Sequence, residues 1–250
     1  MDEIAGARDL NLKRRTALLQ HIADAEEKDS ANSKSRLSLG VRQAILRRLI
    51  DFFHGPVPEG EAFAFGYYSE IALLIRNVDQ QGVRFLYDEQ TRTGIPQLRA
   101  ILFALAEPPK LRRSWLPQLW LSYLDDERPE IAAEAIDGLW RYGDKKAKYR
   151  VLQLQQHFSE YVRSSVLRYA SHVMPRFAPF FLISALKDTH FIVRETAIDE
   201  LDRLEIIEAL PYLYPYLEDN YAQVRQAAST AVENLTSAAT YHAADQRQAG

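Results

Sequence analysis

Histidine, serine and carboxylate side chains could do chemistry in this chain, but their spacing brings no reactive group together. The six histidines are His21, His54, His157, His172, His190 and His242. None forms an HExxH motif, the helical spacing by which two histidines bind zinc beside a catalytic glutamate. No GxGxxG, GxxxxGK[ST] or GxSxG motif occurs, and nothing in the spacing assembles a triad. The sequence therefore favours a protein that is not an enzyme, with no catalytic residue, metal or cofactor.

Composition narrows the classes of partner. The chain has no cysteine, which excludes disulfides, thiolate nucleophiles and cysteine-ligated metals. Its net charge is −3, so no overall positive field favours nucleic acid. The longest strongly apolar stretch, 177–186, is about half the roughly 20 residues that a bilayer span needs. No signal-peptide core follows the N-terminus. We therefore expect a cytoplasmic protein that does not bind membranes.

Two Asp/Arg pairs, six residues apart in sequence, are the most regular polar motif: Asp188 with Arg194, and Asp219 with Arg225. A carboxylate in a turn can accept backbone N–H groups and a nearby guanidinium. The pairs therefore favour a structural role over a catalytic one.

These pairs belong to a repeat of 31 residues. Val162, Val193 and Val224 are each followed by arginine, and Ile131 stands one step earlier. Apolar residues recur at offsets 0, 4, 8 and 11 from these positions, which is one face of an α-helix. The spacing predicts second helices at 129–142, 160–174, 191–204 and 222–235. Each follows a first helix that carries an apolar run.

The segments from Leu186 to Ala197 and from Leu217 to Ala228 resemble HEAT repeats, of the short kind also found in phycobilisome-lyase-like proteins. The resemblance covers about 115–236, with His157 where the family has Asp and Ala132 where it has Arg. It implies an all-α fold, a right-handed α-α superhelix like that of armadillo proteins, built from antiparallel helix pairs. It also implies a structural ladder in the turns, formed by Asp126, Arg163, Asp188, Arg194, Asp219 and Arg225.

Four segments are predicted along the chain. Residues 1–36 form a capping helix and a mobile linker, and 37–114 form divergent helical repeats. Residues 115–236 form four regular repeats, and 237–250 form a disordered tail.

In each second helix, the residues at offsets 2, 6 and 9 from the repeating apolar position (Ile131, Val162, Val193 or Val224) face away from the core. These residues should line a concave groove. Trp140 stands among polar residues there, so it could anchor a partner, or it could pack under an irregular loop or against the less regular upstream repeat. Charge is segregated too: Trp140 to Arg176 contains eight basic and two acidic residues, whereas Leu186 to Asp219 contains three and nine. The predicted partner-binding residues are Asp137, Trp140, Arg141, Arg168, Asp199 and Asp202.

Three functions remain open. The first is a non-catalytic scaffold that binds another protein or a peptide through the groove. The second is an assembly factor similar to phycobilisome lyases, which would handle a bilin or another cofactor for a client protein. Only the repeat subtype supports it, and fold does not carry function. The third is a DNA-binding helical-repeat protein, which the acidic balance disfavours although Lys145–Arg150 is locally basic.

Overall fold

The computed structural model describes residues 38–58, 60–107 and 113–248, and all regular secondary structure within them is helical. The capping helix and linker predicted for 1–36 lie outside the described residues. The chain forms two compact units, Met1–Ile101 and Leu102–Gly250. None of the described helices carries an apolar run of the length that a bilayer requires.

The first unit is built from helices that follow one another closely. They are α1 (Leu39–His54), α2 (Ala64–Val78), α3 (Gln80–Glu89) and the start of α4 (Ile95–Ala106). Between α2 and α3 the Asp79 carboxylate caps α3 by accepting the N–H groups of Gln81 and Gly82. Only glycine fits at position 82, because a Cβ there would lie 1.8 Å from the carbonyl oxygen of Ile75.

The second unit contains four helix pairs. Its helices are α5 (Leu116–Ser122), α6 (Pro129–Tyr142), α7 (Lys148–Leu152), α8 (Glu160–Val173), α9 (Ala178–Ala185), α10 (Phe191–Arg203), α11 (Leu210–Leu213) and α12 (Ala222–Gln248). The second helices α6, α8, α10 and α12 pack on one another in order, and each first helix packs on the second helix that follows it. This arrangement confirms the predicted α-α solenoid of helix pairs.

The last second helix differs from its predicted end. It continues to Gln248, so most of the predicted tail 237–250 is helical. The stretch after Leu235 contains several alanines and neither glycine nor proline before position 250, so nothing in it stops the helix. The first helices are shorter and less regular: α11, with Pro211 as its second residue, lies between the 3-10 segments Ile207–Ala209 and Tyr214–Glu218, and Pro215 is the second residue of the latter.

The core follows the predicted spacing. Val193, Ala197 and Leu201 of α10 are buried against Leu182 of α9 and Leu213 of α11. The alanine at the fourth position lets two helices approach closely, because a larger side chain would hold them apart.

Arg163 and Arg194 each pair with the aspartate of the following unit, whereas Arg225, in the last unit, bonds to the backbone oxygen of Asp219. Arg163 donates two hydrogen bonds of 2.8 Å to the carboxylate of Asp188, and Arg194 donates two, of 2.9 and 2.8 Å, to Asp219. Within its own unit each arginine reaches only a backbone carbonyl oxygen, as Arg194 does at Asp188. The Asp and Arg that stand six residues apart in the motif are therefore not the bonded pair: Asp188 bonds to Arg163, and Arg194 bonds to Asp219. One guanidinium clamps two successive turns.

The two departures from the repeat pattern together remove one Arg–Asp pair, or rung, of the ladder. Ala132 and His157 stand 25 residues apart, as Arg163 and Asp188 do, so each replaces the partner of the other. The His157 Nδ1 atom still accepts the N–H of Ser159, a capping role that Asp188 fills for His190. Ahead of this rung, Asp126 pairs with Arg128 through two bonds of 2.8 Å, and with no ladder arginine.

The Arg–Asp pairs of the ladder make the stability of the protein depend on pH. Hydrogen bonds from Arg194 hold the pKa of Asp219 below its usual range, against the opposing effect of burial. This contribution is fully present above the unfolded pKa of about 3.9, and it disappears as pH falls through the lower folded value.

We expect Asp188→Ala to lower the free energy of unfolding by about 2–4 kcal/mol, because Arg163 is left largely buried without its carboxylate. The matched variant His157→Ala removes a capping bond without breaking an ion pair, so it should cost about 1 kcal/mol. Urea unfolding followed by circular dichroism measures both. Equal losses would show that the rung contributes nothing beyond the cap.

Candidate partner-binding face

The second-helix face is the surface of α6, α8, α10 and α12 that points away from the first helices. Positions 31 residues apart lie side by side on it, because successive second helices pack in the same register. Side chains on this face can therefore bond across the junction between two units.

Asp137 is the centre of the contacts between α6 and α8. Its carboxylate accepts hydrogen bonds of 3.2 and 3.1 Å from Arg168 and one of 3.0 Å from the Trp140 indole. Asp137 is only 9% exposed, so these donors replace the water that it loses. Three residues predicted to bind a partner thus bind one another.

Trp140 is also held by ring contacts. It stacks on His172 with 4.1 Å between the ring centroids and 14° between the planes. The Arg141 guanidinium lies 5.2 Å from the indole and forms ion pairs of 3.3 Å with Glu134 and Glu107. Trp140 therefore has intramolecular partners, and the ring that it stacks on belongs to α8 of the following unit, not to a loop or to the upstream repeat. Contact with another protein remains a prediction for this residue.

A second cluster joins α8 to α10. The Ser171 hydroxyl donates to the Glu200 carboxylate at 2.6 Å and accepts a bond of 2.9 Å from Arg203. Arg203 also donates to Glu200 at 2.6 Å, so this buried carboxylate is neutralised. Sequence reasoning missed Glu200, because it falls between the core positions and the outward positions of α10. The signal that could have found it is the spacing of three residues between Glu200 and Arg203, which sets opposite charges next to each other on a helix.

Carboxylates on α10 are left without such partners. Within the described part of the chain, the side chains of Glu195 and Asp199 make neither a hydrogen bond nor an ion pair, and Asp202 accepts one bond, from Asn234. Partial burial and the neighbouring charges of Glu195, Glu200 and Asp202 raise the pKa of Asp199 to about 6. Its side chain still reaches solvent, so a partner can approach it.

The six predicted groove residues therefore fall into two groups. Asp137, Trp140, Arg141 and Arg168 are brought together, but in contacts that hold α6 and α8. Asp199 and Asp202 lie together on α10 with their carboxylates accessible. Among the described residues, no group of three or more His, Asp or Glu side chains is placed to hold a metal ion.

We expect Arg168→Glu to lower the free energy of unfolding by about 2–4 kcal/mol, because it sets a second carboxylate beside the buried Asp137. Arg176→Glu is the matched control: Arg176 is exposed and makes no ion pair in the described structure, so the change should stay within about 0.5 kcal/mol. Urea unfolding measures both variants. A similar small effect for each would mean that the Asp137–Arg168 pair does not stabilise the junction.

We expect the carboxyl group of Asp199 to titrate with a midpoint of about 6 by NMR. The midpoint should fall in Asp202→Asn, which removes a nearby charge, and should not move in Glu208→Gln. Because the unfolded pKa is about 3.9, the folded protein binds more protons between about pH 4 and 6, and stability falls as pH rises through that window. A midpoint near 4 would contradict the crowding of charge on α10.

Comparison with known proteins bears on the fold. No protein-family model matches the chain, and no curated protein does. An engineered protein of known structure is similar at 18% identity and a TM-score of 0.50, over 77% of this chain and 96% of that chain. A designed armadillo repeat protein in complex with the peptide (KR)4 is similar at 17% identity and a TM-score of 0.49, over 76% and 99%. Human deoxyhypusine hydroxylase in complex with glycerol is similar at 16% identity and a TM-score of 0.36, over 89% of this chain and 98% of that chain. The first likeness supports a helical-repeat solenoid, without separating HEAT-like from armadillo-like repeats.

Proposed function

We propose that this protein is a non-catalytic scaffold that binds a basic segment of a partner protein through α10 and α12 on its second-helix face. The observation that carries the proposal is the set of α10 carboxylates without a cationic partner, beside arginines on the same face that are all paired. An unpaired Asp199 in crowded surroundings is disfavoured in its charged form, and its raised pKa reports this cost.

A cation from a partner would relieve that cost. A lysine or arginine placed within about 4–6 Å of Asp199 favours the charged carboxylate and lowers its pKa again. A phosphate backbone would meet repulsion at the same place, so the face favours a basic protein segment over DNA. This attraction between Asp199 and the partner's cation is electrostatic, and binding should therefore weaken as the salt concentration rises.

The spacing of the carboxylates suits an extended segment. Asp202 on α10 and Glu233 on α12 occupy equivalent positions, 31 residues apart. Packed helices lie about 8–10 Å apart, and three residues of extended chain span about 10 Å. A segment lying across the helices could therefore set a basic residue at each carboxylate.

The surface is also rigid before a partner arrives. Ser171, Glu200 and Arg203 fix α10 against α8, and the Arg194–Asp219 rung fixes the turns of α10 and α12. Binding to a preformed surface avoids the cost of ordering it.

The test is affinity capture of partner proteins by the tagged chain, quantified by mass spectrometry. In the site variant, Glu195→Gln, Asp199→Asn and Asp202→Asn are combined. We expect proteins captured by the unchanged chain to be lost, because the variant keeps the shape of the face and removes its charge.

The matched control combines Glu205→Gln, Glu208→Gln and Glu218→Gln, which removes the same net charge from exposed positions elsewhere in the unit. Capture should survive in this control. Equal loss in both variants would reduce the effect to net charge, and equal retention would show that α10 does not bind the partner.

A further inference from the structure

A second surface with the opposite charge lies among the first helices. We call the outer groove the channel between α7, with the 3-10 segment Gln153–Gln156 that follows it, and α9. Tyr149 and Phe180 stand 31 residues apart at equivalent positions along it, and they are 72% and 77% exposed. Large rings this exposed at two equivalent positions are uncommon on a surface that contacts only water.

Cations border these rings. Lys145 and Arg176 occupy equivalent positions in the turns that precede α7 and α9, Lys146 follows Lys145, and Lys187 lies beyond the other end of α9. None of these four side chains makes a hydrogen bond or an ion pair within the described part of the chain.

The nearby carboxylates are already engaged. Asp188 pairs with Arg163, and Asp125 pairs with Arg150. Asp144 caps α7 by accepting the N–H groups of Lys146 and Ala147. The charge left uncompensated along the outer groove is therefore positive.

A hollow opens at the α9 side of the groove. It has a volume of about 230 Å³ and a mixed lining: Phe180, Phe181, Val166 and Leu167 supply the apolar part, and Gln155, Gln156, Ser184 and the Arg163–Asp188 pair supply the polar part. Lys187 stands at its rim. A cavity of about 150 Å³ holds a benzene ring, so this hollow can accept an aromatic or leucine side chain.

We propose that the outer groove docks an acidic segment of a partner protein, which inserts one large apolar side chain beside Phe180 and sets its carboxylates at Lys145, Arg176 and Lys187. Charge complementarity selects the acidic residues, and the hollow selects the apolar one. A single-stranded RNA would find the cations and the rings, but it has no aliphatic or benzyl group for the hollow. The observations therefore favour a protein.

The inference goes beyond the proposed function, because it concerns the other layer of the unit. The α10 carboxylates lie on the second helices and the outer groove lies on the first helices. Two partner segments of opposite charge can then be bound at once, and neither surface depends on the other.

Fluorescence anisotropy with a short labelled peptide tests the proposal. The probe has glutamates on both sides of a central phenylalanine, and a second probe has alanine in its place. We expect saturable binding of the first probe at low salt, weakened about tenfold or more by Lys145→Glu combined with Arg176→Glu. Phe180→Ser should weaken the phenylalanine probe and leave the alanine probe almost unchanged.

Two controls make the result specific. Tyr241→Ser removes an exposed ring from α12, on the second helices, and should not change binding. The Glu195→Gln, Asp199→Asn, Asp202→Asn variant should also keep it, so failure of the proposed function would not affect this test. Absence of saturable peptide binding, insensitivity to the charge reversals, or binding of oligouridylate in preference to the acidic peptide would each overturn the proposal.

Discussion

The bidentate clamp between an arginine and the next unit's aspartate fixes how the helix pairs of the second unit stack. A helix pair buries one apolar face only when a neighbour covers it, and apolar contact alone leaves the register loosely defined. Arg163 and Arg194 set the register by reaching a carboxylate 25 residues ahead and backbone carbonyl oxygens behind. Rows of equivalent positions follow from this register, and both proposed binding surfaces are made of such rows.

The junction without a clamp has other polar contacts. Between α6 and α8, Ala132 and His157 cannot pair, and this junction carries the Asp137–Arg168 ion pair and the stack of Trp140 on His172. These contacts join positions 31 or 32 residues apart. They therefore align α6 with α8 in the same register as a clamp would, but from the face of the second helices and not from the turns. Residues that look available for a partner in the sequence are therefore structural at this junction, whereas the clamped junction of α10 and α12 leaves its carboxylates accessible.

Sequence spacing was sufficient for the second helices, because apolar positions such as Val193, Ala197 and Leu201 directly report the buried face. It could not assign polar partners. A 31-residue period aligns Asp188 with Asp219 but does not say whether Arg194 bonds within its unit or across the junction. The 3-10 segments around α11 also escaped prediction, since Pro211 and Pro215 each stand second in their segment, a position that suits the start of an ordinary α-helix. The raised pKa of Asp199 could not be predicted either, because crowding by Glu195 and Asp202 is a property of the folded helix.

The charge of each block of the sequence also looks different once the residues that form ion pairs within the protein are left out of the count. The block from Trp140 to Arg176 has eight basic residues, but Arg141, Arg163 and Arg168 have carboxylate partners on other helices or turns. What remains uncompensated lies mainly at the starts of the first helices, beside Tyr149 and Phe180. In the following acidic block the ladder and Arg203 neutralise several carboxylates, whereas Glu195 and Asp199 remain on α10 and Glu205, Glu208 and Glu218 remain exposed around α11. The unpaired charge is therefore positive around α7 and α9 and negative on α10, and each of these two surfaces selects a partner of opposite charge because only unpaired groups attract one.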